Sequence, residues 1–216
     1  STGSRMDHQR RRVGLALIAP ALGMLMPPAA AQAPAVPAPV TVAGVRYEGQ
    51  ETLADARLLL NGAGIRYKAV FRVYTAGLYL AQPAATPEAV YALPGPKRLH
   101  IVMLRDIDAN ELGKLFTQGM EANAPREVFS RSIPGTLRLA ELFARKKRLA
   151  GGDSFTVDFV PGRGTVVVVN GVTETEPVRE PEFFQALMSI WLGRAPADEA
   201  LKRALLGQAA SGRPER

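Results

Sequence analysis

Arg66 and Tyr74 are the two side chains in this 216-residue sequence whose type and spacing could hold an anion. They lie in the run Gly-Ile-Arg-Tyr-Lys-Ala-Val-Phe-Arg-Val-Tyr, residues 64–74. A guanidinium stays charged at any accessible pH and presents several donors in a fixed fork, and a phenol adds one more. Such a pair can stabilise an oxyanion without exchanging a proton. In an extended chain an even interval puts both on one face. Counted by twos, one face carries Ile65, Tyr67, Phe71, Val73 and Tyr79 and reads as the core side. The other carries Arg66, Lys68, Arg72 and Tyr74 followed by Ala76, Leu78 and Leu80, so cations and a phenol share a surface with an apolar half. That face suits an amphipathic cleft for a ligand with one anionic end. The competing reading is a solvated sheet face, where Lys and Arg discourage pairing with other molecules.

Other chemistries are poorly supplied. The sequence has no cysteine, which excludes thiol catalysis, thiolate metal sites and disulfides. Of two histidines, His8 lies in an N-terminal leader and His100 in the strand-like run Lys-Arg-Leu-His-Ile-Val-Met-Leu. One histidine supports neither a Ser-His-Asp triad nor a multi-histidine metal centre, and reads as a satisfied sheet residue. No metal and no cofactor is expected. The net charge of +7 falls to +4 without residues 1–31, and the remaining cations are interleaved with Asp and Glu, which argues against nucleic-acid binding. The densest run, Arg145-Lys146-Lys147-Arg148, complements the C-terminal dipole of a predicted helix.

Several elements must position Arg66 and Tyr74. Residues 41–48 read as a strand, 56–60 as a second that turns at Asn61-Gly62, and 66–80 as a long third. Thr86-Pro87 opens a short helix to about Leu93, and 98–104 follows as a strand. Asp108 caps a helix to Asn123 with Leu112, Leu115, Phe116 and Met120 on one stripe, and 125–147 is helical with a break or kink near Pro134-Gly135. A hairpin over 155–169 turns at 161–164, Asn170-Gly171 leads into a strand over 172–178, and helices over 181–192 and 197–206 close the chain. Strands, helices, strands, helices predicts an α+β fold with a largely antiparallel sheet covered by helices.

The ends read differently. Residues 1–5 resemble a cloning remnant, and Met6 opens a secretory leader: Arg10-Arg11-Arg12, an apolar run over 13–26, then Ala29-Ala30-Ala31 before a cleavage point that leaves Gln32 first. The apolar run is too short to span a bilayer and is interrupted by Pro20, so the expected product is periplasmic, with no stable membrane span once the leader is removed. Residues 32–41 form an Ala/Pro-rich linker, 42–207 one domain, and 208–216 a disordered tail.

The Gly-Ala-Gly-Ile-Arg start at 62–66, the Val-Tyr-Thr-Ala-Gly-Leu-Tyr-Leu run at 73–80 and the closing 181–193 stretch with Ala-Pro-Ala-Asp beyond it resemble the chalcone isomerase-like superfamily. The resemblance implies an open-faced β-sandwich. In the plant isomerases of that superfamily an arginine steadies a substrate phenolate as it adds across an enone to close a ring. Arg66 matches that arginine, whereas Tyr74 stands where the isomerases have threonine. Tyr74 matches instead the fatty-acid-binding branch, in which arginine and tyrosine hold a carboxylate. The interval between the two is several residues shorter than in the plant enzymes. The helix after Asp108 offers no equivalent of the family's active-site tyrosine and asparagine; Asn110 and Thr117 lie nearby and are not carried over. The resemblance therefore implies a non-catalytic binding protein holding an amphipathic carboxylate such as a fatty acid through Arg66 and Tyr74. Two alternatives stay open. One is an intramolecular lyase in which Arg66 stabilises the oxyanion and Tyr74 orients a water or carbonyl; the other is a scaffold binding a protein partner through exposed helices.

Overall fold

The computed structural model describes residues 32–208; the predicted leader and the tail beyond Gln208 lie outside them. Chain order is β1 (Val40–Val42), β2 (Val45–Tyr47), β3 (Gln50–Leu53), β4 (Ala56–Lys68), β5 (Phe71–Leu80), α1 (Pro87–Ala92), β6 (Lys97–Met103), β7 (Ile107–Asp108) and α2 (Ala109–Asn123). It continues with α3 (Arg126–Lys146), β8 (Arg148–Leu149), β9 (Ser154–Val160), β10 (Gly164–Val169), β11 (Val172–Thr173), α4 (Pro181–Leu192) and α5 (Glu199–Leu205). Seven strands form one antiparallel sheet in the order β11-β10-β9-β6-β5-β4-β3, while β1-β2 and β7-β8 make two small ribbons. The helices gather on one face. This is the α+β open-faced sandwich expected from the sequence.

Asn61-Gly62 is not a turn. β4 runs through it to Lys68, and the chain reverses instead at Ala69-Val70. The reason lies in contacts remote in sequence. The Asn61 amide donates to the carbonyls of Ala84 (2.8 Å) and Leu205 (2.7 Å) and accepts from Ala84 N (2.9 Å), so it ties the sheet to the loop after β5 and to the end of α5. Gly62 serves close approach: a Cβ there would lie 1.8 Å from the Ala204 carbonyl oxygen, so any side chain would push α5 off the strand.

The two faces of β5 are also reversed from expectation. Tyr74, Ala76, Leu78 and Leu80 face the main core with Leu99, Ile101 and Val157, whereas Tyr79 joins Tyr47, Leu58 and Leu60 in a smaller cluster on the opposite face. There the Tyr47 ring lies over Gly77, where a Cβ would come within 2.5 Å of it, and its hydroxyl shares a 2.7 Å hydrogen bond with Thr75. Both faces of β5 are therefore buried, and period-two counting cannot say which meets the helices.

The helices follow the predicted signals more closely. Asp108 accepts from Glu111 N (2.8 Å) and starts α2; Thr86 accepts from Ala89 N and starts α1. α3 passes unbroken through Pro134. Pro134 and Ser130, whose carbonyl loses its usual N–H partner, are both exposed residues, and the Ser132 and Thr136 hydroxyls donate to Phe129 O and Ser132 O nearby. The first predicted strand splits into the β1-β2 ribbon at Ala43-Gly44, and strand pairing begins at Val40, inside the segment read as linker. Beyond Asn170-Gly171 only Val172 and Thr173 pair as a strand; Val178 makes a single bridge to Thr165.

Candidate functional site

Arg66 near the end of β4 and Tyr74 near the start of β5 are directly opposite one another across the hairpin. Cross-strand partners project to the same face, so the pair meets because the chain turns back between them, at Ala69-Val70.

That face forms one wall of a cavity of about 300 Å³, the lower end of the range for small-molecule sites. Opposite it stands α2, presenting Leu112, Leu115 and Phe116; Val73 and Ile107 close one side and Ile190 of α4 another. Tyr74, Leu112, Phe116 and Ile190 are buried, while Leu115 and Lys68 are exposed, so the cavity opens past the latter two. Phe116 packs edge-on against Trp191 (5.4 Å) and Phe143 (5.6 Å), which fixes the α2 wall.

The environment of Tyr74 decides what its hydroxyl can do. Trp191 Nε1 donates to the Tyr74 oxygen at 2.9 Å. Indole has no acceptor, so the tyrosine must accept that bond and direct its own proton elsewhere. Among the described residues no acceptor lies within reach of that proton, although Tyr74 is only 3% exposed. Burial pushes the hydroxyl up, against the lowering influence of the Trp191 hydrogen bond and the Arg66 charge, to about 12. It is therefore a neutral donor at neutral pH. Arg66 is half-buried and makes no ion pair among the described residues. The carboxylate closest in role, Asp198, is occupied: it accepts from Tyr67 N (3.0 Å), Ala200 N (2.8 Å) and Leu201 N (3.0 Å), tying the start of α5 to β4.

Two contributors were not legible as such. Trp191 sits in the family-like closing run, but nothing in that run indicates that it orients Tyr74. Asn123, at the end of α2, holds the back of the cavity by donating to Ala195 O (2.9 Å) and accepting from Ala195 N (2.8 Å). Asn110 and Thr117 lie on another side of α2, lining a separate depression with Lys114 and Ala140, and Thr117 spends its proton on Gly113 O. His100 stands on the opposite face of the sheet, its Nδ1 3.7 Å from Glu51 and its ring edge-on to Tyr47. Among the described residues no group of His, Asp and Glu has the arrangement to hold a metal ion.

A scan against protein families matches residues 39–207 to a family described as chalcone isomerase-like. No curated protein matches the sequence. Among solved structures, a fatty-acid binding protein of Arabidopsis thaliana superposes with a TM-score of 0.59 at 14% identity, covering 80% of this chain and 98% of that one. At that identity the likeness concerns the fold.

Proposed function

The chain belongs to the chalcone isomerase-like family, and from that premise we propose that it is a non-catalytic binding protein whose cavity takes a small amphipathic carboxylate, such as a short or medium-chain fatty acid. The observation that carries this reading is the Tyr74 hydroxyl, whose proton has no acceptor among the described residues, set directly across the hairpin from Arg66 in an amphipathic cavity. A carboxylate offers two acceptor oxygens and one charge, which satisfies both groups at once. Its hydrocarbon chain would lie along Val73, Ile107 and Leu115 toward the opening. The fatty-acid binding protein of the same fold supports the ligand class. A ring-closing lyase needs further groups that handle a ketone or a water; α2 turns Leu112, Leu115 and Phe116 to the cavity, its Asn123 is held by Ala195, Asn110 and Thr117 lie elsewhere, and Gln118 alone of its polar lining is left for such a role.

The basic start, apolar run and Ala29-Ala30-Ala31 support export and a periplasmic location. Native mass spectrometry of protein purified from the periplasm should find a chain beginning at Gln32 with acyl carboxylate bound; retention of the leader on a membrane-bound form would refute the location.

Calorimetric titration separates charge recognition from simple apolar burial. Octanoate should bind at least tenfold more tightly than methyl octanoate, the penalty expected for removing one charge-assisted hydrogen bond, about 1.5–3 kcal/mol. Because Tyr74 keeps its proton until about 12, the affinity should stay level through neutral and moderately alkaline pH and fall only as the pH approaches about 12. Equal affinity for acid and ester would refute the reading.

A further inference from the structure

The reversal between β4 and β5 breaks the usual pattern of a solvated hairpin. Its tip is Ala69-Val70-Phe71, with Val70 83% and Phe71 56% exposed, and Ala69 holds a φ of 55°, where glycine or asparagine is ordinary. Cations surround the apolar tip: Lys68, Arg72 and Arg105 are all exposed, and the Arg105 guanidinium sits 4.9 Å from the centre of the Phe71 ring. The nearby acids are engaged elsewhere. Asp106 pairs with Arg148 (2.8 Å) and Asp108 caps α2, leaving Glu111 at a loose 3.9 Å from Lys68. A groove of about 450 Å³ between Phe71 and Arg105 shares Lys68, Val73 and Ile107 with the cavity, so the tip stands beside the cavity's opening.

We infer that this tip docks on an anionic lipid surface, with Val70 and Phe71 entering the acyl boundary while Lys68, Arg72 and Arg105 meet headgroup phosphates. Exposed apolar side chains ringed by cations are the arrangement that an interface between acyl chains and anionic headgroups matches. A second copy of the chain fits poorly. Its own cations would face these, and two side chains fall far short of the roughly 1,000 Å² that a stable protein interface buries. Docking places the opening of the cavity against the bilayer, where an amphipathic carboxylate can pass between the two without crossing water. The role as a lipid exchanger rests on the proposed function; the docking itself does not.

The absence of cysteine permits a local test. Val70→Cys, labelled with an environment-sensitive fluorophore, should shift to the blue on vesicles of phosphatidylglycerol and phosphatidylethanolamine and not on phosphatidylcholine alone. The same label at Val172→Cys, 59% exposed on the far edge strand β11, should not shift. Arg72→Gln and Arg105→Gln should each weaken vesicle partition about fivefold, the ratio equivalent to about 1 kcal/mol per surface cation. Absence of a shift at position 70, equal shifts at 70 and 172, or a shift that depends on protein concentration without vesicles would overturn the inference. Octanoate titration without vesicles reads the cavity separately. Binding of octanoate with no shift would sink the docking alone, and a shift with no octanoate binding would sink the cavity reading alone.

Discussion

Arg66→Met should bind octanoate about 30-fold more weakly than the wild type while unfolding at the same denaturant concentration. The factor corresponds to about 2 kcal/mol, the cost of depriving a carboxylate of a charged donor in a partly buried site. Methionine keeps much of the stem and its contact with the cavity wall, so the loss isolates the charge. Folding should be spared because Arg66 makes no ion pair among the described residues and is only half-buried. Tyr74→Phe should cost the ligand less, since it removes one neutral donor, but should cost stability as well, because the Trp191 N–H loses the oxygen it donates to. Calorimetry with both variants decides the matter. An Arg66→Met variant that binds the acid like the wild type would return Arg66 to the class of solvated sheet cations.

On the opposite face of the sheet, Arg98→Met should destabilise the fold by about 3–5 kcal/mol, the usual cost of removing one partner from a buried ion pair. Arg98 meets Asp158 through two parallel bonds of 2.7 Å and reaches Glu51 at 2.8 Å, joining β3, β6 and β9 across the sheet. The Asp158 side chain is 6% exposed and would be left charged with little water to replace the guanidinium. Asp158→Asn introduced together with Arg98→Met should recover part of the loss, because the most buried carboxylate is then neutral and only Glu51, 22% exposed, is left without the guanidinium. Denaturant unfolding of the single and double variants measures both effects; a loss below about 1 kcal/mol for Arg98→Met would mean that water reaches Asp158 after all. Octanoate affinity should be unchanged in any fraction that remains folded, since the cavity lies on the other face.

Helix starts were legible because capping is local. Asp108 and Thr86 stand within three residues of the N–H groups that they accept from, so the sequence window contains the whole interaction. The family-like runs at 62–66, 73–80 and 181–193 were sufficient to identify the open-faced sandwich, and the mixed face bearing Arg66 and Tyr74 does line an amphipathic cavity. The position of the reversal was not legible. Asn-Gly is the strongest local turn signal, yet Asn61 is held in a strand by Ala84 and Leu205, the latter 144 positions away. Ala69-Val70, which carries no turn signal, makes the reversal instead.

The sequence by itself determined the antiparallel α+β class and the capped helices, because each depends on residue type and short-range patterns; Arg66 and Tyr74 share a face because they pair across the hairpin, not because they alternate along one strand. Tertiary structure alone decided that this face is the one the helices cover. Both faces of β5 are apolar enough to bury, and the choice was made by α4 and α2 on one side and by the Tyr47 ring over Gly77 on the other. It also decided that the Tyr74 proton points away from Trp191 and has no acceptor among the described residues, a property created by a hydrogen bond between residues 117 positions apart that no local pattern records.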